Sequence, residues 1–211
     1  LISIYSSLLL SKNFLKSFNY QCYNFHPGIL PFYPGKNCVS GAIYNSEKET
    51  GVTIHKMKKK IDSGKILMMR KIKIKKDENL LAVMHNLRNL VLKLLYEFLQ
   101  VLKYSKKLRL KKNDQKKIRF FPRSIPNSGL VDNNLTFDEL YRRYKASDSG
   151  PMPNSWGKLF FKFNKKKFLI YKIERKLLSK KNNFLIKKIN NETFLIKIKN
   201  ANALVKAQND S

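Results

Sequence analysis

Asn24 and His26 stand two residues apart at the end of an apolar run, and Asp62 follows the histidine by 36 residues, just before Ser63 and Gly64. Alternate residues of a β-strand face the same side, so Asn24 and His26 can address one reacting atom. An amide donor can hold a carbonyl oxygen, an imidazole can stabilise the oxyanion formed there, and a carboxylate can take a proton from an attacking amine. Together they are the groups for acyl transfer to nitrogen. Each also has a plain structural use: Asn caps loops, Asp forms turns, and a lone His is usually satisfied within a fold. His55 falls on an alternating strand and reads as structural, lining a cleft at most. His85 reads as solvated on a helix, Cys38 as structural, and Trp156 as packed beneath its loop.

Several elements must hold these side chains. Leu1–Tyr5 and Gln21–Phe25 read as strands and Leu8–Phe18 as a short helix between them. Pro27, Pro31 and Pro34 with Gly28 and Gly35 then impose an irregular, stiff loop. A helix is expected from Val39 to Tyr44, a strand over Gly51–Met57, the Asp62 turn over Lys58–Gly64, and a period-two strand over Lys65–Ile74. Over Asp77–Lys103 the apolar residues switch to three- and four-residue spacing, the mark of a long helix lying on a sheet. Strands alternating with helices predict an α/β layer.

Tyr104–Lys117 is basic and without period, and reads as a linker or exposed excursion. A second unit starts near Phe121. There Thr136 and Glu139 have capping-box spacing for a helix to about Ala146. Short runs at Leu159–Phe163, Phe168–Ile173, Asn183–Ile189 and Thr193–Lys199, joined by polar turns, predict a small antiparallel sheet or barrel. The expected division is 1–103, a linker at 104–120, and 121–211.

Lys and Arg total 44 against 14 Asp and Glu, a formal charge of +30. Such a balance suits a polyanion such as RNA. Lys outnumbers Arg 36 to 8, however, and Asn, Ile and Phe are abundant, as A- and T-rich codons would produce without selection for the forked guanidinium. Two cysteines without metal-ligand spacing make a zinc site or a disulfide framework unexpected. No apolar run approaches the roughly 20 residues of a membrane span. The opening Leu1-Ile-Ser-Ile-Tyr reads as a buried strand, so the chain is expected to be a fragment.

Asn24-Phe-His-Pro-Gly-Ile-Leu-Pro, Phe32-Tyr-Pro-Gly, Gly51-Val-Thr-Ile-His and Asp62-Ser-Gly, in this order, resemble the formyltransferase family that uses 10-formyltetrahydrofolate. That family includes methionyl-tRNA, glycinamide ribonucleotide and sugar-amine formyltransferases. The resemblance is tight over 1–103 and looser over 121–200, where it is to the C-terminal subdomain of the tRNA and sugar members. It implies a partial Rossmann-like sheet followed by a mostly β, barrel-like subdomain, and it implies that the family's N-terminal part, with the first strands of the sheet, is lacking here, so that the fragment by itself is expected to be a poor enzyme.

Carried over residue by residue, Asn24 would hold the formyl oxygen, His26 would stabilise the oxyanion, and Asp62 would orient water or take the amine proton. Gly28, Ile29, Leu30 and Pro31 match the loop bordering the folate cleft, with Gly28 in place of the family's Ser. Pro34 stands where many tRNA-acting members have Arg. The implied co-substrate is 10-formyltetrahydrofolate, with no metal, and the implied acceptor is methionyl-tRNA. An amino-sugar nucleotide and a degenerate RNA-binding remnant are the alternatives. A monomer is expected with no membrane partner, cytoplasmic in a bacterium and mitochondrial or plastid in a eukaryote.

Overall fold

The computed structural model describes residues 1–6, 8–105, 108–176 and 185–210, which form two compact units, 1–78 with 82–121 and 79–81 with 122–211. In the first unit strands β1 (Ile2–Ile4), β2 (Tyr23–His26), β3 (Glu49–Lys56) and β4 (Ile66–Lys73) form a sheet in that order. β1 pairs with β2 in parallel and the remaining pairs are antiparallel. Helices α1 (Lys12–Ser17), α2 (Cys38–Tyr44) and all but the first two residues of α3 (Leu80–Tyr104) complete it.

α3 exists because its apolar residues fall on one stripe. Val83, Leu87, Val91, Leu94 and Phe98 are buried while Leu92 and Tyr96 are exposed. Phe98 meets Tyr23 and Phe25 of β2 edge-on, with ring centroids 5.1 and 5.5 Å away. Burying that stripe against the sheet is what makes a helix of 25 residues stable, since propensity alone does little. The α/β reading therefore holds.

α1 is shorter than the sequence predicts. Ser11 takes the N-cap position and its hydroxyl accepts from the Phe14 amide, so the helix starts at Lys12 and not near Leu8. The basic stretch after α3 is also more ordered than a linker. Lys111 exchanges both backbone hydrogen bonds with Ile66 (2.9 and 2.7 Å), adding a rung to the sheet edge, and Asn113 is buried.

The second unit holds helix α4 (Phe137–Ser147) and strands β5 (Phe160–Phe163), β6 (Lys166–Lys176), β7 (Ile186–Lys188), β8 (Thr193–Ile198) and β9 (Ala201–Asn209). They form a curled, wholly antiparallel sheet in the order β5-β6-β9-β8-β7, the barrel-like subdomain expected. Asn183 and Phe184, the start of one expected strand, lie outside the described residues. Thr136 and Glu139 form the full capping box that starts α4. Asn164 and Lys165, at φ 49° and 63°, make the two-residue turn that matches strand twist. Phe161 stacks on Phe168 and meets Phe194 edge-on, and Trp156 is buried with its indole N–H donating to the Pro122 carbonyl at 2.9 Å.

β9 is the strand the sequence does not predict, although it lies central to this sheet. Its buried positions are Ala201, Asn202, Ala203, Val205 and Ala207, of which only Val205 has a strong strand preference. Pairing with β6 on one side and β8 on the other decides the conformation. Among the described residues no helix is long and apolar enough to cross a membrane.

Candidate active site

β2 presents Phe25 to the helix layer and Asn24 and His26 to the opposite face, as strand alternation requires. Antiparallel register places His55 of β3 across from Asn24 and Thr53 across from His26. The turn after β3 carries Asp62, whose φ of 45° is left-handed, to the same place. Asn113 pins that turn by donating from Nδ2 to the carbonyls of Asp62 (2.8 Å) and Gly64 (3.0 Å). Gly64 is required there, because a Cβ would lie 1.7 Å from the Lys56 carbonyl oxygen.

The Asp62 carboxylate is the hub. Its Oδ2 accepts from the Gly35 amide at 2.7 Å and lies 3.3 Å from His26 Nδ1. Its Oδ1 lies 3.1 Å from His55 Nε2 and 3.5 Å from Asn24 Nδ2. Asn24 Nδ2 is also 3.3 Å from His55 Nε2, while Asn24 Oδ1 is buried with no hydrogen-bond partner. Each histidine is tied at its other nitrogen to a main-chain carbonyl, His26 Nε2 to Tyr33 at 2.6 Å and His55 Nδ1 to Lys56 at 2.9 Å.

Burial pushes the Asp62 carboxyl upward, but the His55 hydrogen bond, the His26 charge and the Gly35 amide outweigh it and hold the carboxyl well below the usual carboxylate range. Burial pushes the His26 imidazole below its ordinary value, opposed in part by Asp62 and the Tyr33 carbonyl. An ionised carboxylate this enclosed demands compensation nearby. What the site offers is a fixed carboxylate between two oriented imidazoles, with a carboxamide whose oxygen awaits a partner.

All three residues predicted to do chemistry, Asn24, His26 and Asp62, are thus brought together. The four predicted carrier residues are not equivalent. Thr53 Oγ1 donates to the Gly28 carbonyl (2.6 Å) and accepts from the Leu30 amide (3.2 Å), and the Leu30 side chain is buried in the core. Gly28 serves by being small: a Cβ would stand 2.8 Å from His26 Nε2 and break up its contact with Tyr33. Ile29 lines a hollow of about 360 Å³ with Phe32, Tyr33, Glu47, Lys71 and Arg119, which Asn24, His26 and Asp62 do not border. Pro31 follows Leu30 in the cis form.

Sequence reasoning treats His55 as structural, yet it is a full member of the cluster. Its alternation with Thr53, combined with antiparallel pairing to β2, is the signal that finds it. Asn113 and the Gly35 amide have no sequence signal.

The first unit is an α/β sheet that gathers one cluster of ionisable groups, and the second unit is an antiparallel β sheet. Residues 2–99 match the family described as Formyl transferase, and the chain belongs to the formyltransferase family. It is 32% identical over 130 residues to a methionyl-tRNA formyltransferase of Thermotoga maritima, a match covering 62% of this chain and 41% of that protein. It is 31% identical over 179 residues to the bifunctional polymyxin resistance protein ArnA of Wigglesworthia glossinidia brevipalpis, covering 82% of this chain and 25% of that one. The chain therefore spans less than half the length of these relatives. Among solved structures it is similar in fold to an N-formyltransferase from Helicobacter canadensis in complex with folinic acid and dTDP-3-aminofucose, with a TM-score of 0.71 at 20% identity. That likeness covers 98% of this chain and 73% of the other. HypX from Aquifex aeolicus in complex with tetrahydrofolic acid gives a TM-score of 0.74 at 17% identity, over 97% of this chain and 34% of that one.

Proposed function

We propose that this chain carries the catalytic cluster of an enzyme that moves a formyl group from 10-formyltetrahydrofolate to the amine of methionyl-tRNA. The observation that carries it is the Asp62 carboxylate held between His26 and His55 beside the Asn24 carboxamide. In this reading the acceptor amine attacks the formyl carbon, a C–N bond forms, and negative charge collects on the formyl oxygen. Asn24 donates to that oxygen. The amine proton passes to Asp62, directly or through one water, and reaches the carrier nitrogen as its bond to the formyl carbon breaks.

His26 needs one movement. Both its nitrogens are engaged at rest, so the ring reaches the oxyanion by exchanging the Tyr33 carbonyl for it. A group that bonds the oxyanion and not the substrate acts on the transition state. Gly28, Ile29, Leu30 and Pro31 would border the carrier, chiefly through Ile29 and the main chain. No step in this scheme calls for a metal.

The tRNA acceptor is supported by the methionyl-tRNA formyltransferases at 30–32% identity and by the charge of +30. An amino-sugar nucleotide is the second reading, favoured by the fold likeness to the N-formyltransferase solved with folinic acid and dTDP-3-aminofucose. The test supplies 10-formyltetrahydrofolate with labelled formyl to the protein as its gene encodes it, and compares methionyl-tRNA with amino-sugar nucleotides. Label on the tRNA amine is expected. Label on the sugar alone moves the assignment to the second reading, and label on neither overturns both.

A further inference from the structure

Two of the bonds that hold the catalytic cluster come from the main chain of one loop. The Tyr33 carbonyl accepts from His26 Nε2 at 2.6 Å, and the Gly35 amide donates to Asp62 Oδ2 at 2.7 Å. Only Pro34 separates the two groups, so a shift of the loop displaces both catalytic side chains together. The loop runs as turns and bends from β2, which ends at His26, to α2, which starts at Cys38, so side chains must fix it. Thr53 holds its first half at Gly28 and Leu30. Its second half is held at Phe32 and at the side chain of Tyr33.

Tyr33 is 4% exposed, and its phenol donates to Glu47 Oε1 at 2.5 Å while accepting from Asn45 Nδ2 at 3.1 Å. The ring lies against Phe121, with centroids 5.5 Å apart. Arg119 closes the clasp. Its guanidinium pairs with the same Glu47 oxygen and lies over the Phe32 ring at 4.7 Å, and its amide donates to the Phe32 carbonyl at 2.9 Å. The Arg119 side chain is half exposed, so the buried phenol carries more of the hold than the ion pair does. Burial and the bond to Glu47 push the phenol up to about 12, so at neutral pH the hydroxyl keeps its hydrogen for Glu47. A hydrogen bond from phenol to carboxylate is charge-assisted, the stronger kind.

The plain reading of such a phenol is a satisfied core tyrosine, but its neighbours do not need it. Without the hydroxyl, Glu47 would still hold Arg119, and Asn45 would still donate to the Phe120 carbonyl at 2.9 Å. Neither partner is left unpaired. What changes is the freedom of the loop. A carbonyl free to move would follow the His26 ring as it turns to the oxyanion and compete for its hydrogen, whereas a fixed carbonyl is left behind.

We propose that Tyr33 is a positioning residue: its phenol, fastened to Glu47, fixes the carbonyl that orients His26 and the amide that orients Asp62. The effect on turnover rests on the formyl-transfer reading; the hold on the loop does not. The first test is therefore made without substrate, on the protein as its gene encodes it and on its Tyr33→Phe variant. The His26 Nε2 proton is identified in the NMR spectrum by its loss in His26→Gln. In Tyr33→Phe it should exchange with solvent about tenfold faster, as loss of one such bond would give. The amide of Ile54, on a strand paired on both sides, should exchange as before. An unchanged His26 proton, or equal acceleration at Ile54, would overturn the proposal.

Turnover supplies the second arm. Tyr33→Phe should lower kcat about tenfold with KM little changed, and Glu47→Ala should do the same. Glu47→Gln keeps an oxygen for the phenol and should recover most of the loss. A loss confined to KM, or no recovery in Glu47→Gln, would overturn the positioning role. A protein inactive on every acceptor would count against the formyl-transfer reading, while proton exchange at His26 would still decide whether Tyr33 holds the loop.

Discussion

In the first unit His26 and His55 are buried and both bonded to the largely enclosed Asp62, whereas in the second the lysines of β5 to β9 stand largely in solvent. Pairs such as Lys167–Asp210 and Lys172–Glu174 have each partner about two-fifths to a half exposed. Pairs of that kind contribute about 0–1 kcal/mol and leave both side chains free to rearrange. A buried carboxylate cannot rearrange: the Gly35 amide and two imidazoles fix its position. The same lysine-rich composition therefore runs through two regions with opposite uses of charge. In the first, charge sets geometry for chemistry. In the second, it can serve only as a diffuse field for a polyanion, or as no more than codon composition.

The sharpest way to break this contrast is at His26. His26→Asn should reduce kcat by roughly two to four orders of magnitude while KM changes little, as removal of an acid–base or oxyanion partner does. If KM alone rises, His26 binds the carrier and does not act on the transition state.

Next in size is Asn113→Ala, which frees two buried carbonyls on the Asp62 turn. It should destabilise the first unit by about 1–3 kcal/mol and lower turnover with it. Denaturant midpoints check this. An unchanged midpoint would show that the turn holds itself.

Acidity should separate the regions as well. The lowered Asp62 carboxyl stabilises the folded chain above the unfolded value of about 3.9, and that contribution disappears as pH falls through the folded value. His26, also lowered, is neutral when folded, so stability begins to fall below about pH 6.5, where the unfolded chain takes up the proton first. The folding midpoint should drop in two stages on acidification, and His26→Gln should remove the upper one. A flat profile between about pH 6.5 and 4 would contradict the buried neutral imidazole.

The smallest effects belong to the second unit. Lys162→Gln, Lys166→Gln and Lys188→Gln, all at exposed positions, should change stability by no more than about 0.5 kcal/mol each. If the acceptor is tRNA, they should flatten the salt dependence of its binding by about 0.7–0.9 in log–log slope for each phosphate no longer neutralised. An unchanged slope would assign these lysines to codon composition.

Much of this contrast is legible in the sequence. Period-two spacing puts Asn24 and His26 on one face, and turn chemistry puts Asp62 in reach. Three- and four-residue spacing gives α3, and a capping box gives α4. What is not legible depends on pairing. His55 acquires its place only when β3 runs antiparallel to β2, opposite Asn24. β9 has alanine at Ala201, Ala203 and Ala207 and becomes a strand because β6 and β8 flank it. Asn113 sits in an aperiodic basic run whose order comes from one rung between Lys111 and Ile66 and from the Asp62 turn it holds.

The most direct measurement is labelled-formyl transfer from 10-formyltetrahydrofolate by the protein as its gene encodes it, beside its Asp62→Asn variant. The substitution is nearly isosteric, and Asn keeps an oxygen to accept from Gly35, so folding should survive while the proton acceptor is lost. Turnover should fall by roughly two to four orders of magnitude with carrier binding nearly intact, if Asp62 takes the amine proton. Turnover within a few-fold of the parent would contradict that role.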